Sequence, residues 1–218
     1  MSTAATEVAA VLLGDGGEAG VGEQSEPVGA VHRGPGALAA AVASTASHLW
    51  VLGPGVAPRP DALARLWAGR ARAESEPALL AGLVEDAHGR PLDGCLPAGT
   101  EARTEEVVRL VPQRLLPIRS APFAHVLIVR STFAEHGLPD RAAFGSHAPV
   151  EWAARVLAGA PGYLVCDSVA VLAAPPGAPL SLGARARSLP ATVRMARGTA
   201  WTRGESVRAL AALARGAA

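Results

Sequence analysis

The sequence predicts an α/β fold, a mostly parallel sheet flanked by helices, and three observations carry that prediction. Short apolar runs of the kind that fill a strand covered on both faces recur along the chain. Stretches with apolar residues at helical spacing lie between several of them. Gly and Pro, at 24 and 18 residues, cluster at the junctions. Strands that alternate with helices favour parallel order, because a parallel pair needs a long crossover that a helix supplies.

The first strand is expected over 7–13 (EVAAVLL), stopped by Gly14, Asp15, Gly16 and Gly17. The Gly- and Glu-rich stretch 14–27 reads as irregular, 28–32 as a second strand, and the Ala-rich 37–47 as a helix. Residues 48–52 (HLWVL) form a buried strand that ends abruptly at Gly53, Pro54 and Gly55. A helix then runs from about Asp61 to Arg72. Pro60 suits its first turn and Asp61 the positive end of its dipole. Residues 78–84 (ALLAGLV) read as a strand, 85–90 as a turn, and 105–110 as a strand or a short helix. The run 123–130 (FAHVLIVR) is a strand rich in β-branched residues, followed by a helical turn over 131–136 that Gly137 closes. Val150, Ala153, Ala154 and Leu157 share one face of a helix over 150–157, with Glu151 and Arg155 paired one turn apart. Two short strands, 163–165 and 169–172, flank Asp167 and Ser168. A Pro-rich linker covers 173–179, and an amphipathic helix covers 207–215. No internal repeat is visible.

With 218 residues the chain fits one domain with an appendage, and a net charge of +1 argues against a nucleic-acid partner. Its two cysteines, Cys95 and Cys166, make no disulfide framework, and no Cys/His spacing reads as zinc. All the basic residues are arginine, and Lys and Asn are absent, which reflects a high-GC coding bias. Residues 1–10 carry Glu7 and no basic residue, unlike a secretory signal, and no apolar run approaches the ~20 residues of a bilayer span. A cytoplasmic protein is expected. Arginines beside apolar positions in the last thirty residues leave peripheral contact with the inner membrane face open.

Two stretches together resemble family 2 glycosyltransferases. The first is 48–66, HLWVLGPGVAPRPDALARL. In that family an apolar strand runs into an acidic Asp-x-Asp cluster, followed by a proline and a helix starting PDAL. The second comprises 116–144, LPIRSAPFAHVLIVRSTFAEHGLPDRAAF, and 150–172, VEWAARVLAGAPGYLVCDSVAVL. It looks like the acceptor half of actinobacterial galactofuranosyl- and rhamnosyl-transferase-like members. There a strand ending in Arg leads to a helix, GLPD, an aromatic residue, an acidic DDxE element and a GY-x-V-P-D-S-V-x-x-H strand, whose final histidine has no counterpart near Ala173.

The resemblance implies a GT-A-like (Rossmann-like) sheet that binds a nucleotide-sugar donor and a glycan acceptor. In such enzymes carboxylates hold Mg or Mn against the donor diphosphate, and the metal stabilises that diphosphate as it leaves. A second carboxylate acts as base on the acceptor hydroxyl.

This chain departs from the pattern where the chemistry resides. Gly53, Pro54 and Gly55 occupy the Asp-x-Asp positions, and Ala148 and Pro149 stand where the two aspartates of DDxE belong. The family's metal ligands are therefore absent. The space between the first strand and Gly34-Pro35-Gly36 is also short, which implies a shortened N-terminal nucleotide half. Glu151, the surviving DDxE acid, and His147, beside the lost aspartates, are the candidate catalytic residues. Alternatively, Glu151 is a helix N-terminal acid paired with Arg155, and His147 a loop histidine. Asp15, Gly53 and Gly55 are the candidates facing the donor, although Gly-Asp-Gly is also an ordinary turn. Gly34-Pro35-Gly36 lacks both glycine-loop phosphate spacings. His48 and His125 read as core or edge histidines, and Trp50 and Trp152 as core residues rather than sugar platforms, although Trp152 flanks the expected acceptor pocket. Arg185, Arg187, Arg194, Arg197 and Arg203 form the densest basic group, either a solvated face or an anionic-surface contact.

The expected organisation is a glycosyltransferase-like domain over 1–172 and a linker with a helical extension over 173–218. The expected function is that of a catalytically impaired relative in cell-envelope glycan assembly. The alternatives are an active metal-independent transferase and a non-enzymatic module with a protein partner or a second copy of itself.

Overall fold

The structure is a computed structural model that describes residues 7–14, 18–92, 111–172, 182–198, 201 and 203–215. Eight strands form one sheet: β1 (Val8–Leu12), β2 (Ala30–Arg33), β3 (His48–Leu52), β4 (Val56–Pro58), β5 (Leu79–Glu85), β6 (Leu115–Pro117), β7 (His125–Val129) and β8 (Gly162–Leu172). Their order is β2-β1-β3-β7-β5-β8-β4, and β6 pairs with β8 beside β4. The helices are α1 (Glu18–Gly22), α2 (Ala37–Val42), α3 (Ala62–Arg72), α4 (Ser131–His136), α5 (Arg141–Phe144), α6 (Ala148–Leu157), α7 (Leu182–Arg197) and α8 (Arg203–Arg215).

The central strands are buried on both faces, which is why they read as unbroken apolar runs. Successive residues supply opposite layers. Ala9, Val11, Leu49, Val51, Val126 and Ile128 pack beneath α2, α4 and α6, against Ala41, Phe133, Trp152 and Val156. Val8, Ala10, Leu12, Trp50, Leu52 and Leu127 pack on the other side, against Val21 of α1 and Leu63 and Leu66 of α3. The result is a helix–sheet–helix sandwich.

The sheet combines parallel and antiparallel pairings. β1 runs parallel to β2 and β3, and β5 parallel to β8. β7 is inserted antiparallel between β3 and β5. β4 and β6 add antiparallel to β8. The short strands β4 and β6 and the helix α1 escape the sequence reading because three to five residues carry too little periodicity. Gln24 fixes α1 in place. Its amide nitrogen donates to the carbonyls of Gly20 and Arg59 at 2.6 and 2.8 Å, and its amide oxygen accepts from the Leu63 N–H at 3.0 Å. Helix α2 stops at Val42 instead of reaching 47, and the Ser44 hydroxyl turns back onto the Ala41 carbonyl at 2.7 Å. The expected element over 105–110 and the linker over 173–179 lie outside the described residues.

The two short strands expected around Asp167 are one strand with a bulge. Gly82 and Leu83 of β5 face Val165 and Val169 of β8, so 166–168 are extra residues on β8. Asp167 turns outward to Arg72, with contacts of 3.1 and 3.3 Å, and to Arg65 and Arg114 at 3.8 and 3.7 Å. Burial pulls its carboxyl up, but Arg72 outweighs this and holds it below the usual carboxylate range. Ser168 turns inward. Its hydroxyl donates to the Ala62 carbonyl at 2.8 Å and meets Nε2 of His125 at 2.8 Å. The other ring nitrogen, Nδ1, accepts from the Trp50 indole at 3.2 Å, which assigns the proton to Nε2. Gly82 leaves the room for this ring, since a Cβ there would lie 2.2 Å from Cδ2 of His125.

The C-terminal helices lie against the region of α5 and α6. His147 contacts the Thr192 hydroxyl at 3.1 Å and sets its ring edge-on to Trp201 at 4.9 Å. Arg194 donates to the Ala143 carbonyl at 2.7 Å. Arg119 and Glu205 form an ion pair with both side chains largely buried. Helix α7 falls within the expected helical extension but was not delimited there, and Pro190 lies inside it. No helix among the described residues is long and apolar enough to cross a membrane.

Candidate functional site

In open α/β sheets, ligands bind outside the carboxyl ends of the strands where the strand order reverses. Here β2 lies on one side of β1 and β3 on the other, so the reversal falls at β1. A cavity of about 870 Å³ opens at that end. Leu13 and Gly14 reach it from β1, Arg33 and the 34–36 loop from β2, and Phe123 from the segment entering β7. Leu138, Pro139, Arg141 and Pro149 add to the lining.

Each wall follows from local sequence. Gly34 and Gly36 adopt φ of 77° and 87°, which lets the chain turn directly from β2 into α2. Because β7 is antiparallel, its first residue His125 pairs with Leu52, the last of β3, and this brings Phe123 to the cavity end. Trp152 supports Phe123 edge-on at 5.4 Å and stacks on Phe133 at 4.4 Å. Its indole donates to the Gly137 carbonyl at 2.6 Å and so ties down the turn before Leu138. Asp140 caps α5 by accepting from the Ala143 N–H at 2.9 Å, which sets Arg141 on the first turn. Leu138 is 45% exposed, unusually open for a leucine, and faces this cavity.

The lining is mostly apolar and carries two guanidinium groups, Arg33 and Arg141. Among the described residues it includes no carboxylate. No group of three His, Cys, Asp or Glu side chains among them is placed to hold a metal ion. Mg and Mn take hard oxygen ligands, so the donors described here do not fit the divalent cation that the family pattern implies.

The residues singled out from sequence fall in different places. Asp15 lies outside the described residues, although its neighbour Gly14 lines the cavity. Gly53 is packed on the chain entering β7: its N–H donates to the Ala124 carbonyl at 2.8 Å, and a Cβ would lie 3.1 Å from the Phe123 oxygen. Gly55 turns the chain into β4 with φ of 70°. Neither glycine is part of the lining described above. Glu151 is gripped by Arg155, with contacts of 3.2 and 3.4 Å, on the first turn of α6. Burial lowers the pKa of His147.

Sequence reasoning did not single out Arg33, Arg141 or Leu138. Arg33 stands at the carboxyl end of a short strand and Arg141 follows GLPD, and neither position matches a phosphate-loop spacing. No protein-family model matches the chain, and a search of curated proteins finds no match either.

Proposed function

We propose that this chain is a nucleotide-sugar-binding protein of the family 2 glycosyltransferase type, with a GT-A-like sheet and impaired catalysis. One observation carries the reading: the cavity lies at the carboxyl end of the sheet at its reversal point, with an apolar wall and two arginines. An apolar wall accepts a base and sugar, and guanidinium groups accept a diphosphate. Impaired catalysis is supported by the positions of the surviving candidates. Glu151 is committed to Arg155 and His147 to the C-terminal helices.

Calorimetric titration with UDP, UDP-sugars and dTDP-sugars tests the reading. Binding of at least one of these, without sugar transfer or hydrolysis, is the expected result. Silence across the panel would remove the nucleotide-sugar reading. Turnover that disappears in Glu151→Gln or His147→Gln would restore an active, metal-independent transferase.

A second reading, a contact module acting through the C-terminal helices, rests on Val207, 67% exposed, and Leu189, 47% exposed. Among the residues of α7 and α8 whose side chains are described, Arg194, Arg197 and Arg208 are exposed. Exposed arginines beside apolar side chains suit an anionic membrane. Co-sedimentation with phosphatidylglycerol vesicles but not with phosphatidylcholine vesicles is expected, and Val207→Asp should reduce it. Equal recovery with both vesicle types would end this reading.

A further inference from the structure

Resting on the nucleotide reading above, we propose that Arg33 and Arg141 bind the diphosphate of the ligand directly and replace the divalent cation. Both residues line the same cavity, Arg33 at the end of β2 and Arg141 on the first turn of α5. The 34–36 loop, Leu38, Phe123 and Leu138 line it with them. A ligand that fits has an apolar or aromatic body and a compact group of high negative charge.

The charge arithmetic favours arginine over metal at this place. A nucleoside diphosphate brings two to three negative charges, and two guanidinium groups offset most of them. Each guanidinium presents paired N–H donors that match two phosphate oxygens, so orientation comes with neutralisation. A hard cation would need several oxygen ligands from the protein, and the described lining offers none on a side chain.

Calorimetry with UDP, uridine and inorganic pyrophosphate tests the proposal on the full chain. The expected result is that UDP and pyrophosphate bind in EDTA, and that adding Mn²⁺ does not tighten either. Arg33→Gln and Arg141→Gln should each weaken UDP and pyrophosphate by about tenfold while leaving uridine unchanged. Both side chains are exposed, and thermal unfolding of each variant beside the parent separates a loss of fold from a loss of binding. Arg197→Gln, exposed on α7, controls for general loss of positive charge and should bind as the parent does. UDP binding that needs Mn²⁺, or that is unchanged in both variants, would overturn the proposal and leave the nucleotide reading standing. Failure of UDP, uridine and pyrophosphate alike would end both.

Discussion

Trp152→Ala is expected to lower the unfolding free energy by about 3–5 kcal/mol, measured as a shift in urea midpoint. The indole is fully buried and sits at the junction of the sheet, α4 and α6. Removing it deletes the stack on Phe133 and the edge contact with Phe123, and leaves the Gly137 carbonyl without the indole N–H. The loss also reaches the cavity. Phe123 lines it directly, and the turn at Gly137 leads into Leu138 and Pro139, so two walls lose a common support. Any ligand affinity should therefore fall along with stability. Trp152→Phe keeps an aromatic ring in the stack and should cost visibly less. An unchanged midpoint in the alanine variant would show that the three rings do not carry this junction.

Acid should destabilise the protein between about pH 6.5 and pH 3, by roughly 1.4 kcal/mol for each pH unit. The cause is His125, which is fully buried and whose pKa is pushed down to about 3 by that burial. Its folded pKa lies below its unfolded value of 6.5, so in this window the unfolded chain binds a proton that the folded chain refuses. Stability is therefore fully present above pH 6.5 and drains away as pH falls. His48 and His147 are depressed by burial too and add to the slope. Asp167, held low by Arg72, contributes only further down, as pH falls through the ordinary carboxylate range. The His125→Gln variant keeps polar atoms near Trp50 and Ser168 but cannot titrate. Its stability at pH 7 should drop, and its slope with pH should flatten. A parent protein equally stable at pH 7 and pH 4.5 would contradict the burial of a neutral ring at this position.

Much of the central sheet was legible in the chain. HLWVL, HVLIV and VAAVL read as buried strands because both faces of each are covered, and the structure buries every one of these residues except Val129. His48 and His125 read as core or edge histidines and Trp50 and Trp152 as core residues, and all four are buried. The interruption at Asp167 and Ser168 was visible too, though as a gap between strands. It is a bulge, because Asp167 has arginines outside and Ser168 has His125 inside.

Strand direction was not legible. The reversal of β7 is set by pairing with β3 and β5, and neither partner changes its composition to announce it. Asp15, Gly53 and Gly55 were read as facing a donor; Gly14, beside Asp15, lines the cavity, and Gly53 and Gly55 are not in its lining. Arg33 and Arg141 were not legible, because they are far apart in sequence and share the cavity only in the folded chain. Glu151 and His147 looked like candidates because they sit where a family pattern places acids. The pairing of Glu151 with Arg155 was legible from their one-turn spacing and is present, whereas the neighbours of His147, Thr192 and Trp201, come from the C-terminal segment.

The central claim is that a nucleotide occupies the cavity at the end of β1 and β2, and amide chemical-shift mapping during a UDP titration tests it most directly. The expected result is saturable shifts confined to Gly14, the 33–39 segment, Phe123 and the 138–141 segment, with His147, Glu151 and the C-terminal helices unmoved. Shifts centred on α7 and α8, or none at all at saturating UDP, would contradict it.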